Sequence, residues 1–345
     1  MNKWNKIVSS AALGAALVLT AGVTPAAAAG PDAGLYGSTD PTFTGVSDQS
    51  LAILGLVSVG VEPSPQAINW LVTQQCLDGG FQAYRVSIRT ACGPSDPVNF
   101  SGPDSNSTAL AALALNSVGK LGQAKKAATW LSKAGAKASN GTTGVAYYPG
   151  AGALPDANSS GLAYAAMLGV GMNSAIVRQV RTYLFRSITP CTESGGAKFQ
   201  SGDGGVNNSA SAQVLFGLKA LTPAEPANRL AKDPSCGKNK STNLASYLSS
   251  QLTTGTLSNF PYDGNDYGNT AATVVTFNSM KIGKSSVNKS ILSLKKNAKA
   301  WALKNGQVNA GAVGWLLMAA EATDSSPKKF GGMNLVTTLT KSMKK

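Results

Sequence analysis

The chain contains no histidine at all. That removes the usual proton shuttle of neutral-pH enzymes and the commonest metal ligand. Ser-His-Asp and Cys-His catalysis are excluded with it. The four cysteines, Cys76, Cys92, Cys191 and Cys236, have spacings that fit no zinc motif. Neither a metal nor a cofactor is expected. Acidic residues are scarce, 16 against 30 Lys and Arg, for a net charge of +14. The glutamates Glu62, Glu193, Glu225 and Glu321 are scattered and form no pair. Aromatics are not interleaved with Lys and Arg as a nucleic-acid stacking platform requires, so nucleic acid is not an expected partner. After the first residues no stretch approaches the ~20 apolar residues of a membrane span.

The first 29 residues read as a secretory signal peptide: basic Lys3 and Lys6, an apolar stretch from Ile7 to about Val23, and small residues Ala26–Ala29. The expected mature protein is secreted, with one domain over 30–345. An even cysteine number in an exported chain implies disulfides. Of three possible pairings, Cys76–Cys92 and Cys191–Cys236 are favoured. The first would contribute roughly 3 kcal/mol by the loop-entropy argument; the second would staple an insertion between the third and fourth outer helices. Removing Lys3 and Lys6 leaves 28 basic residues against 16 acidic, about +12. This suits solubility, and also adhesion to an anionic cell-envelope polymer.

What is abundant is repetition. Gln49, Asn106, Asn158, Asn208, Asn269 and Asn309 each open an Ala/Leu-rich, nearly uncharged run, such as Ala109–Leu115 or Ala310–Ala320. In the first five, Ser or Thr follows the amide. Alternating with these runs are amphipathic stretches centred on Trp70, Trp130, Tyr183, Tyr247 and Trp301, which carry the Lys and Arg. Uncharged helices are buried on most sides, and amphipathic helices keep a wet face. The expected architecture is an all-α toroid, an α6/α6 barrel of about six inner and six outer helices, with an atypical terminal repeat at Met333–Met343.

In such a barrel all inner helices start at one mouth. The residues before those starts collect aspartates, aromatics and glycines, including Asp104, Asp156, Asp203, Asp263, Asp266, Tyr148, Phe260, Tyr262 and Tyr267. Asp and Asn are natural helix caps worth about 1 kcal/mol each. The helix dipole and backbone donors should lower the pKa of such carboxylates and make them poor general acids. A concavity with rings and converging polar groups is the default binding site.

Asp104-Ser105-Asn106-Ser107-Thr108-Ala109, with Gln75-Cys76-Leu77-Asp78-Gly79-Gly80-Phe81, resembles the prenyltransferase and squalene-oxidase repeat. That repeat builds the α/α toroid of terpene cyclases, protein prenyltransferases, complement-like thioester domains and cobalamin carriers. The resemblance implies an acid motif, Asp-x-Asp-Asp-Thr-Ala, in the cyclases; here Asn106 and Ser107 replace its two downstream acids. An amide and a hydroxyl cannot protonate an alkene. The zinc-ligating His of the prenyltransferases, the Cys-Gly-Glu-Gln thioester and the second, β-rich domain of the cobalamin carriers are not found.

The expected function is therefore non-catalytic binding of a ligand or envelope component at the mouth. Asn106, Asn158, Asn208 and Asn269 would hydrogen-bond the ligand; Tyr148, Phe260, Tyr262 and Tyr267 would supply stacking surface; Asp104 and Asp263 would add acceptors. No residue is expected to be catalytic. Carbohydrate fits rings plus amides best, with an isoprenoid or a corrinoid also compatible. The alternatives are a glycan hydrolase or lyase using mouth aspartates, and an atypical terpenoid cyclase.

Overall fold

The computed structural model describes residues 30–38, 40–202, 205–219, 230–259 and 262–345. The expected signal peptide, Asp203, Glu225 and Phe260 lie outside these residues. Twelve α-helices occur among the described residues: α1 (Gly45–Ser58), α2 (Pro65–Thr73), α3 (Ser105–Ser117), α4 (Leu121–Lys133), α5 (Ala157–Gly169), α6 (Ala175–Ser187), α7 (Asn208–Lys219), α8 (Lys240–Gln251), α9 (Tyr267–Met280), α10 (Lys284–Ala302), α11 (Ala310–Ala322) and α12 (Leu335–Lys341). The odd-numbered helices are nearly all buried; along α3, every residue from Ser107 to Leu115 is. They pack in the cyclic order α1, α3, α5, α7, α9, α11 and back to α1. The even-numbered helices are amphipathic and pack outside them. This is the expected α/α toroid, with its atypical sixth outer helix in place. No helix among the described residues is long and apolar enough to cross a membrane.

The ends of the chain close the outer ring. The Gly34 N–H donates to the Lys344 carbonyl (2.8 Å) and the Lys344 N–H to that of Leu35 (2.9 Å). Asp32 pairs with the Lys344 ammonium at 3.0 Å.

The segments read as mouth loops are partly ribbons. β1 (Gly135–Lys137), β2 (Thr143–Ala146) and β3 (Pro155–Asp156) form one small antiparallel sheet; β4 (Leu257–Ser258) pairs with β5 (Asn265–Asp266), and β6 (Leu303–Lys304) with β7 (Gln307–Val308). Each lies between an outer helix and the next inner one, so the chain satisfies its backbone while crossing between rings.

One bond recurs at these crossings. The backbone N–H groups of Phe81, Val145, Ala197 and Leu257 donate to the hydroxyls of Thr108, Ser160, Ser211 and Thr270 at 2.8–3.0 Å. Each hydroxyl sits on the fourth residue of its inner helix, and each donor is fully buried. In the first repeat Gln49 does the same work: its Oε1 accepts from the Tyr36 N–H (2.9 Å), while its Nε2 donates to the Gly34 and Ala67 carbonyls. The segments holding these donors are straps wedged between the rings. Gly79, two residues before Phe81, has φ 99, and a Cβ there would lie 2.7 Å from the Lys126 carbonyl oxygen of α4. A Cβ on Gly80, Gly144 or Gly196 would run into the ring of Trp130, Tyr183 or Tyr247. That is why the outer helices carry those aromatics.

The straps correct the apparent register of the amides. Measured from the strap hydroxyl, Asn106 and Asn158 lie two residues before, Asn208 three and Asn269 one. The amide-hydroxyl pairs of the sequence therefore do not occupy equivalent places on α7 and α9.

The inner ring is not uniform. A Cβ on Gly314 of α11 would overlap the Leu51 carbonyl of α1, and one on Gly217 of α7 would overlap the Gly161 carbonyl of α5. At these two crossings backbone meets backbone. Both favoured disulfides are present, Cys76–Cys92 and Cys191–Cys236.

Thr108→Val keeps the shape of the side chain but strips the buried Phe81 N–H of its acceptor. Urea unfolding should show a loss of about 1–3 kcal/mol, whereas the same change at exposed Thr340 should cost less than about 0.5 kcal/mol.

Candidate functional site at the barrel mouth

The strap hydroxyl points outward, between the rings. Two residues on or back along a helix is a rotation of ~200°, to the opposite face. The residues two before the strap acceptors are Ser47, Asn106, Asn158, Ser209, Gly268 and Gly311; they form a collar of small and polar groups around the axis. The residues two after are Leu51, Leu110, Leu162, Gln213, Ala272 and Trp315, a mostly apolar floor about one turn deeper. Every member of the floor lines one cavity of about 300 Å³. Ser47, Asn106 and Gly268 of the collar line it too, so the space lies against the small residues of α9. Tyr84 and Tyr147 wall its entrance, and Phe216 lies deeper, edge-on to Trp315 with centroids 6.0 Å apart.

The polar groups form a chain around the collar. Asn158 Nδ2 and Asn269 Nδ2 both donate to the Ser209 hydroxyl at 3.0 Å. Asn269 Nδ2 also donates to the Asp266 carboxylate (2.6 Å), which caps α9. Gln213 Nε2 reaches Asn269 Oδ1 at 3.5 Å. The amide oxygens Asn106 Oδ1, Asn158 Oδ1 and Gln213 Oε1 are shielded from solvent and have no hydrogen-bond partner among the described residues.

Of the expected ligand-binding residues, Asn106 and Asn269 line the cavity. Asn158 stands beside it, held by Ser209. Asn208 faces the outer ring instead: its Oδ1 accepts from the Tyr247 hydroxyl (2.7 Å) and its Nδ2 donates to the Ser258 hydroxyl (2.9 Å). The one-residue register shift on α7 explains this. Tyr148 is buried behind Tyr147, against which it packs edge-on at 4.6 Å. Tyr267 packs on Trp301 at 5.5 Å. Tyr262, 75% exposed, does not line the cavity, and neither does exposed Asp263. Gln213, Phe216, Trp315, Tyr84 and Tyr147 were not among the expected residues. The signal for the first and third was present: each stands two residues after a strap position, at Ser211 and at Val313, the apolar equivalent on α11.

Asp104 and Asp156 cap α3 and α5 and are buried. Asp104 also braces a strap, because its second oxygen accepts from the Ala83 N–H at 2.8 Å. Contrary to the expectation for helix-start carboxylates, burial outweighs the backbone donors and pushes both up to about 6. Neither lines the cavity. Among the described residues Asp266 is the one carboxylate that does, and no Lys or Arg accompanies it. No group of three His, Cys, Asp or Glu among them is placed to hold a metal ion.

The protein is thus, by the packing of its own helices, an α/α toroid with a central mouth cavity. No protein-family model and no curated protein matches the chain. Among solved structures it is similar to a protein from Actinoplanes, at 12% identity and TM-score 0.49, over 81% of this chain and 90% of that one. It is similar to a variant of the type II terpene cyclase MstE from Scytonema, at 12% identity and TM-score 0.49, over 83% and 90%. Another variant of that cyclase, in complex with geranylgeranyl dihydroxybenzoate, aligns at 11% identity and TM-score 0.47, over 84% and 90%.

The buried carboxylates set a pH dependence. Their folded pKa of about 6 exceeds the ordinary 3.8, so the folded state takes up protons first as pH falls. Stability should therefore rise between about pH 7 and pH 5, by on the order of 1 kcal/mol per group. Asp104→Asn loses one of two acceptors and should lower the melting temperature at pH 7 while flattening the rise, as thermal unfolding across pH would show.

Proposed function

We propose that this is a secreted, non-catalytic binding protein that takes a small ligand at the mouth of the inner ring. The observation that carries the reading is the set of unpaired amide oxygens on Asn106, Asn158 and Gln213 at the ring centre. An unpaired buried acceptor costs about 1–3 kcal/mol, and native structures carry few of them. Two of the three belong to residues that line the cavity, and a donating partner seated there would satisfy them once those side chains turn toward it. The cavity lies at the lower end of the ~300–1,000 Å³ range of small-molecule sites and has the usual apolar wall with few polar groups.

Catalysis has less support. Glycoside hydrolysis uses two carboxyl groups, and the described part of the cavity wall contains Asp266 alone. Asn106 and Ser107, at the positions where the cyclase motif carries its acids, have no proton to deliver to an alkene. Export of the chain agrees with its two disulfides and with the apolar N-terminal segment.

Native mass spectrometry of protein taken from culture medium tests the reading. The wild type should carry an added mass that Gly268→Leu lacks, since that side chain would grow into the cavity without meeting backbone. Retention of the mass by the variant would move the ligand elsewhere, and absence of any added mass from both would count against a tightly held ligand. Polysaccharide cleavage abolished by Asp266→Asn would replace the proposal with a hydrolase or lyase. Asn106→Leu, which removes an unpaired acceptor, should leave stability unchanged or raise it by up to about 1 kcal/mol, because site residues are kept at the expense of stability.

A further inference from the structure

We infer that the inserted end of the ligand is an apolar group of one or two rings that carries a hydrogen-bond donor and no negative charge. The inference rests on the mouth being the binding site and adds the chemistry that it would select. Three observations converge on it.

The first is the order of the layers. Polar groups stand at the collar, where Ser47, Asn106, Asp266 and Asn269 face the cavity. One turn deeper the wall is Leu51, Leu110, Leu162, Ala272 and Trp315, with Phe216 beyond. A sugar in that floor would leave most of its hydroxyls against hydrocarbon, and each unpaired one would be penalised. A ring hydrocarbon would not be, and the edge-on Phe216–Trp315 pair presents the geometry that aromatic contacts favour.

The second is size. An apolar cavity of ~150 Å³ holds benzene. The space here, about 300 Å³, is twice that. It has room for a fused bicycle.

The third is polarity. Gln213 is the one polar residue of the floor, and its Oε1 has no partner among the described residues; Asn106 Oδ1, at the collar, has none either. In five of the six inner helices a cap, Asp104, Asp156, Asn207, Asp266 or Asn309, takes an N-terminal N–H that would attract an anion, whereas α1 has no side-chain cap. With the Asp266 carboxylate on the wall and no Lys or Arg, the site offers acceptors. A ligand that donates, through a hydroxyl or an amino group, meets these acceptors.

Calorimetric titration of the mature protein with naphthol, naphthalene, naphthoate and cellobiose separates the possibilities. Naphthol should bind about tenfold tighter than naphthalene, the worth of one hydrogen bond, and naphthoate should bind more weakly than either. Gln213→Leu or Asn106→Leu, checked for folding by circular dichroism, should erase the preference for naphthol. Gly268→Leu should abolish binding of both. Cellobiose binding that is lost in Gly268→Leu, with no naphthol binding, would overturn the ligand class while leaving the mouth as the site. Naphthol binding that survives Gly268→Leu would overturn both. Equal affinity for naphthol and naphthalene would overturn the donor requirement, and no binding of any probe at millimolar concentration would overturn the inferred class.

Discussion

A buried backbone N–H that ends on a Ser or Thr hydroxyl holds the two rings of this protein in register. The straps through Phe81, Val145, Ala197 and Leu257 follow an outer helix, and even where they join a small ribbon, as at Val145 and Leu257, these N–H groups are left to a side chain. An unpaired donor there would be costly. The hydroxyl on the fourth residue of the inner helix removes that cost, and it fixes the helix rotation as it does so. The face opposite the hydroxyl must then look at the barrel axis. Collar and floor are consequences of that rotation.

The same constraint accounts for residues that would otherwise look unrelated. Glycines precede the strap donors because the strap lies directly on the backbone of the next outer helix, as Gly79 does on Lys126. Large aromatics occupy the outer helices because the strap glycines leave room for a ring, as Gly80 does for Trp130. Asp104 ties its own helix start to the strap residue Ala83. It does so as a carboxylate buried deeply enough to hold its proton well above the ordinary range.

The cavity exists because the ring is uneven. Gly314 and Gly217 draw α1 to α11 and α5 to α7 until backbones touch. Between these pinched pairs, α9 presents Gly268 and Ala272 where the opposite helices present Asn106, Leu110 and Leu162. Small residues facing larger ones leave space at the axis. Asn106 and Gln213 line that space, and their amide oxygens, shielded from solvent, are not paired by the described residues.

How much of this the amino-acid order discloses differs from level to level. Alternation of uncharged and amphipathic helices and the caps Asp104, Asp156, Asp266 and Asn309 were legible, because each depends on local pattern; of the two favoured disulfides only Cys76–Cys92, 16 residues apart, is of short reach. The fold class followed from these. The lining of the site did not. Asn106, Asn158, Asn208 and Asn269 look alike as text, yet Asn208 faces Tyr247 in the outer ring and Asn106 faces the axis, since one residue is ~100° of helix rotation. Gln213 and Trp315 looked like ordinary members of apolar runs. Which face of each helix turned inward was decided by strap bonds between residues 13–27 apart in the chain, and only the closed ring gathers the inward faces of all six helices around one axis.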